Sequence, residues 1–179
     1  MTLNLTKKYP ELLEIMHLNE HQRIESLRRI FNRDIQDNPA FQFRTKQVRP
    51  IKIDGQASMD TLFNHLIKEE TEETTPDGKV IKKRSDFEKD RAMRLHWIKH
   101  HINECKSTNM DIFSYEERIK GRGDVVRTYI FDMDKDYVIV LEPQRSKADY
   151  YLITAYYLNK TWGKKQIMKK HKDKLKELY

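Results

Sequence analysis

Four β-like runs follow one another closely in the second half of the chain: Asp111 to Ile119, Val125 to Asp132, Tyr137 to Glu142 and Tyr150 to Leu158. Short links built around Gly121-Arg122-Gly123, Met133-Asp134-Lys135-Asp136 and Pro143-Gln144-Arg145-Ser146 separate them. A parallel neighbour needs a crossover of a dozen or more residues, so links this short force successive strands to pair antiparallel. Ahead of this meander, Ser85 is placed to cap a helix from Asp86 to about Asn103, with Phe87, Leu95, Ile98, Ile102 and Cys105 as its core stripe. Behind it, a closing helix from about Lys164 to Leu178 sets Ile167, Met168, His171, Leu175 and Leu178 against a lysine face.

The first half reads differently. Leu12, Leu13, Ile15 and Met16 suggest a short helix after Pro10, and Asn19 is a plausible N-cap for a second one carrying Ile24, Leu27, Ile30 and Phe31 and ending near Asn38-Pro39. Phe41 to Ile53 reads as an extended basic segment ending in a turn at Asp54-Gly55, and Ser58 caps a helix running to about Glu69. Glu69 to Lys83 is charge-blocked around Pro76-Asp77-Gly78, which marks a linker or an exposed hairpin. The expected fold class is α+β, with N-terminal helices packed on a four-stranded antiparallel sheet and a C-terminal basic helix. Residues 1–85 would be a helical extension or cap, and residues 86–179 the main domain.

Of the 179 residues, 37% are hydrophobic and 35% charged, enough for one core but not for two full domains. The longest apolar run, Tyr137 to Leu141, falls far short of the roughly 20 residues a bilayer span needs, and Met1-Thr2-Leu3-Asn4 opens no export signal. The expectation is a soluble, cytoplasmic protein with no membrane partner, and the single Cys105 precludes an internal disulfide. The net charge of +7 is concentrated: from Asn159 to Tyr179, eight lysines face only Asp173 and Glu177. A localised basic helix suits a polyphosphate partner, RNA or alternatively DNA. The competing readings are an acidic protein or membrane surface, or a solvated helix face.

His96, His100 and His101 lie on one predicted helix, and His17 and His21 form a second i, i+4 pair. No acid completes a zinc-protease spacing, and Lys99 would repel a cation, so no metal and no other cofactor is expected. Arg91, Arg94, Ile98 and His101 share a helical stripe on which guanidinium groups would hold a phosphate while an imidazole moved a proton. Alternate strand residues share a face. Arg127 with Tyr129, Thr154 with Tyr156, and Lys160 just beyond would therefore suit the oxyphosphorane formed when an RNA 2′-hydroxyl attacks its own 3′-phosphate. Lys164 and Lys165 would add backbone contacts. The alternative is structural: rim arginines, solvated histidines and tyrosines that pack.

The motifs Arg91-Ala92-Met93-Arg94-Leu95-His96-Trp97-Ile98, Arg127-Thr128-Tyr129-Ile130 and Tyr150-Tyr151-Leu152-Ile153-Thr154-Ala155-Tyr156-Tyr157 resemble the phage-associated members of the barnase/EndoU/colicin/RelE-like nuclease superfamily. The likeness covers about residues 86–170. It implies a curved antiparallel sheet with RNA on its open face, and a metal-independent ribonuclease, toxin-like or carried by a phage or mobile element, with an antidote protein as partner. Arg91, Arg94, Thr154 and Tyr156 match the motif positions. No second histidine stands on the strands, so imidazole chemistry would have to come from His96, His100 or His101. A non-catalytic nucleic-acid-binding module and a structural phage accessory protein are the alternatives.

Overall fold

A computed structural model describes residues 3–53, 56–103, 109–146 and 148–179. In chain order the elements are α1 (Leu3–Thr6), α2 (Glu20–Phe31), a π-helical turn (Asn32–Gln36), β1 (Gln42–Phe43), β2 (Lys46–Pro50), β3 (Lys52–Ile53), β4 (Gln56–Ala57) and α3 (Met59–Ile67). There follow β5 (Lys68–Thr74), β6 (Val80–Phe87), α4 (Lys89–Ala92), α5 (Trp97–Ile102), β7 (Met110–Ile119), β8 (Gly123–Asp132), β9 (Tyr137–Pro143), β10 (Tyr150–Tyr157) and α6 (Thr161–Lys172). The expected turn at Asp54-Gly55 and the role given to Cys105 lie outside the described residues.

The expected fold class is corrected. The main sheet has six strands in the order β1-β2-β10-β9-β8-β7, not four. It is mixed, because β2 lies parallel to β10, pairing Val48 with Tyr150 and Leu152 with Pro50. The pairs β7/β8, β8/β9 and β9/β10 are antiparallel. The physical reason for the extra strands is the open flank of β10: Val48 and Pro50 alternate inward and cover it, and Pro50, with no N–H to donate, ends the ladder. The helices are few and short, and the basic helix stops at Lys172 rather than continuing to Leu178.

One core cluster joins Leu27, Ile30 and Phe31 of α2 and Leu62, Phe63 and Leu66 of α3 with Ile139, Leu141, Leu152 and Ala155 of the sheet, so residues before and after position 85 share one interior. On the opposite face Phe113, Tyr129, Phe131, Val138 and Val140 pack with Leu158 and with Ile167 of α6. The resemblance implied an open sheet face for RNA. Here α6 lies across it.

Two local expectations also fail, for readable reasons. Leu12 to Met16 is not helical. Leu13 and Ile15 are buried while Leu12 and Met16 are exposed, the period of two of an extended chain, and Leu13 N–H donates to Met93 O. The single helix expected over 86–103 is two short pieces. Between them Arg94 N–H, Leu95 N–H and Trp97 N–H donate to carbonyls three residues back, a tightened 3₁₀-like path, and residues 94–98 are all buried, so no solvated face sustains one amphipathic helix. Glu88, not Ser85, caps α4, accepting from Asp90 N–H and Arg91 N–H. Asn19 caps α2 in a capping box with Gln22, and Ser58 accepts from Thr61 N–H at the start of α3. Lys68–Phe87 forms a two-stranded ribbon with Pro76-Asp77-Gly78 in its turn.

Candidate active-site groove

β2 pairs with residues 150–152 of β10, so from Thr154 onward no strand among the described residues pairs with β10 on its outer side. A groove of about 310 Å³ lies there, lined among others by Arg91, Thr154, Tyr156, Lys160, Glu69 and Trp162. Two aspartates hold its wall. Asp136, in the left-handed region at φ 49° in the β8–β9 turn, accepts Leu158 N–H on its carbonyl at 2.8 Å and pairs its carboxylate with Lys164 at 2.7 Å. Asp90 accepts a hydrogen bond from Asn159 Nδ2 at 3.2 Å. The junction from β10 to α6 is thereby pinned from the sheet side and from the α4 side.

Arg91 closes the C-terminal end of α3, donating from Nη1 to His65 O at 2.8 Å and to Lys68 O at 3.1 Å, which fixes its guanidinium at the groove. The Thr154 hydroxyl oxygen is buried and has no hydrogen-bond partner among the described residues. Burial, reinforced by the Glu117 carboxylate, pushes the Tyr156 phenol up to about 12 against the opposing pull of Arg91 and Arg127. At neutral pH it is therefore a hydrogen-bond donor and not a base. Lys160 is the residue before α6 and supplies no side-chain cap, so the amides of the first turn of the helix add a positive field beside the groove. Of the two carboxylates that line the groove, Glu88 is occupied in capping α4, and the other is Glu69.

Behind Tyr156 lies an ionic network on the same sheet face. Glu117 accepts from Arg127 at 2.7 Å and from the Tyr129 hydroxyl at 3.1 Å, and also pairs with Lys170, which donates to the Tyr129 oxygen at 2.8 Å. Arg127 continues to Glu142, which holds Arg122. Burial and the neighbouring Glu117 raise the Tyr129 phenol, so it stays protonated. Arg127 and Tyr129 are thus engaged internally and support the groove from behind.

The remaining sequence-predicted residues do not reach the groove. Arg94 is buried, bonded to Asp90 O and stacked 3.8 Å over the Tyr157 ring. Burial pulls the His96 imidazole down to about 4, against the opposing effects of the Asp34 carboxylate and the Glu11 and Lys8 backbone nearby. His100 stacks on Tyr9 with ring centres 4.1 Å apart. His101 is buried between Trp97 O at Nδ1, 2.7 Å, and Asp132 Oδ2 at Nε2, 2.9 Å. Of the tail lysines, Lys164, Lys170 and Lys174 pair with Asp136, Glu117 and Asp111, whereas Lys165, Lys169 and Lys172 are exposed. Glu69, Trp162 and Gln166 also line the groove and have no motif in the sequence to mark them.

A larger cleft of about 840 Å³ lies at the other end of β10, among Arg44, Lys46, Arg122, Glu142, Tyr150 and Tyr179. There Arg122 pairs with Glu142, and Lys46 lies over the Tyr150 ring. Among the described residues no three His, Cys, Asp or Glu side chains gather as a metal-ligand group, and no helix is long and apolar enough to cross a membrane. Comparison with protein-family models, with characterised proteins and with solved structures returns no match.

Proposed function

We propose that the protein is an endoribonuclease that cleaves RNA without a metal, by attack of a 2′-hydroxyl on the adjoining 3′-phosphate. What supports the reading is a single convergence: Arg91, Thr154, Tyr156 and Lys160, from α4, β10 and the α6 junction, line one groove. In the reaction the 2′-oxygen bonds to phosphorus, its proton passes to the Glu69 carboxylate, and the P–O5′ bond breaks. Arg91, Lys160 and the Thr154 hydroxyl meet the charge that builds on the phosphoryl oxygens, and the protonated Tyr156 phenol donates toward the departing O5′. The histidines first favoured for proton transfer are replaced in this scheme by Glu69 and Tyr156, because none of them lines the groove.

The test is incubation of the purified protein with mixed RNA in EDTA, followed by end analysis. The expected products carry 2′,3′-cyclic phosphates, and a strand with 2′-deoxyribose at the cut site is left intact. Binding without cleavage would make the groove a passive RNA site, the alternative favoured by the histidines lying elsewhere.

The exposed lysines of α6 carry a separate expectation. Reversing Lys165, Lys169 and Lys172 to Glu should weaken RNA binding and flatten its dependence on salt, by a slope of about 0.7 for each phosphate of a single strand that is no longer neutralised. A filter-binding series across ionic strength reads this directly, and an unchanged slope would make these lysines a solvated face.

A further inference from the structure

Trp162 is the largest exposed apolar side chain among the described residues, with 65% of its surface open to water, whereas Trp97 in the core retains 3%. An indole is a large apolar body that is normally covered, so one left open on a groove wall is available to a flat partner. Trp162 and Gln166 both line the groove, one helical turn apart, and Lys165 and Lys169 continue the same stripe along α6, exposed, at about 5.4 Å per turn. Gly163 lies beside Leu158, where an added Cβ would be 3.7 Å from Leu158 Cδ2, so the first turn of α6 passes close to the end of β10. An aromatic platform, a phosphate-holding groove beside it and a line of cations leading away form the pattern that accepts an unpaired nucleotide chain.

We propose that Trp162 is the stacking platform for an unpaired base adjoining the phosphate held by Arg91 and Lys160, and that the groove therefore selects single-stranded over duplex RNA. A duplex presents no free base face, since each base is already stacked and paired; a single strand can turn one base onto the indole. The inference rests on the groove being the RNA site, and its test separates the two.

The full-length protein is titrated with a fully 2′-O-methylated single strand of about a dozen nucleotides, which cannot be cut, and with the duplex of that strand. The single strand should quench Trp162 emission saturably, with buried Trp97 as the constant background, and the duplex should bind at least tenfold more weakly. Trp162→Ala should lower single-strand affinity about five- to 150-fold, the equivalent of roughly 1–3 kcal/mol per stacked base, with an unchanged circular dichroism spectrum, while Trp162→Phe keeps most of it. Equal affinity of Trp162→Ala and the parent for the single strand, equal binding of single strand and duplex, or no RNA binding at all would overturn the proposal. Quenching and single-strand selectivity in a protein that leaves unmodified RNA uncut would uphold the platform and sink the nuclease reading. Cleavage that coexists with an inert Trp162 would do the reverse.

Discussion

Arg91→Ala should lower RNA cleavage by about 10²–10³ while lowering RNA affinity far less, because a charge that meets the transition state contributes most when the phosphoryl oxygens gain charge. Arg91 also has a structural task, donating to His65 O and Lys68 O at the end of α3, so the Ala variant loses some stability as well. Arg91→Lys separates the two roles: it keeps a cation at the groove but lacks the planar fork, and should recover part of the rate without restoring both carbonyl bonds. Tyr156→Phe removes the donor held protonated by burial and should also lower the rate more than the affinity. Single-turnover kinetics beside equilibrium binding distinguish the effects. A parent-like rate for Arg91→Ala would remove the groove from the chemistry.

The second large effect concerns stability. Asp132 is fully buried at the end of β8 and accepts from His101 Nε2 at 2.9 Å, from the Tyr9 hydroxyl at 2.6 Å and from Lys135 N–H at 3.0 Å. Burial alone would raise its carboxyl pKa, but the hydrogen bonds from His101, Tyr9 and the Lys135 amide prevail and hold it down to about 2 from an ordinary 3.8. A group whose folded pKa lies below its unfolded one stabilises the fold above the unfolded value and loses that contribution as pH falls through the folded value. The stabilisation, about 2 kcal/mol, should therefore be complete above about pH 4 and vanish between about pH 4 and pH 2. Asp132→Asn should lack this difference. His101→Ala, which leaves the buried carboxylate without its main partner, should cost about 3–5 kcal/mol at neutral pH. Urea denaturation of the three proteins at pH 7, 4 and 3 measures both quantities, and a parent minus Asp132→Asn difference that does not change with pH would refute the argument.

That cluster also explains why the histidines misled as candidates. His101 and Arg94 do share a helical stripe in the sequence, but the stripe faces the interior, where the imidazole binds Trp97 O and Asp132 and the guanidinium lies over Tyr157. Spacing along one element cannot tell an inward face from a catalytic one when residues 94–98 are all buried. The strands were legible because alternation and the Gly121, Met133–Asp136 and Pro143–Ser146 turns are local signals, and Asn19 and Ser58 announced their helices through side-chain caps. The place of β2 was not legible, since its parallel partner lies about a hundred positions away and only the buried Val48 and Pro50 mark its inward face. Arg91, Thr154, Tyr156 and Lys160 stand out in the sequence as candidates, yet their meeting in one groove depends on the end of the β2–β10 pairing, a tertiary fact.

The same parallel pairing governs the order in which the chain must assemble. β7 to β10 close through short turns, whereas Val48 can meet Tyr150 only after a loop of about a hundred residues has closed, at an entropic cost that grows slowly with length but delays contact. The meander should therefore form first, with the flank of β10 bare along its whole length until β2 docks. Such an unpaired flank is a template for intermolecular strand addition. A chain shortened to begin after β2 would leave that flank bare along its whole length, and it would also lack Leu27, Ile30 and Phe31 of the shared core, so it is expected to associate into larger species where the full chain stays dispersed.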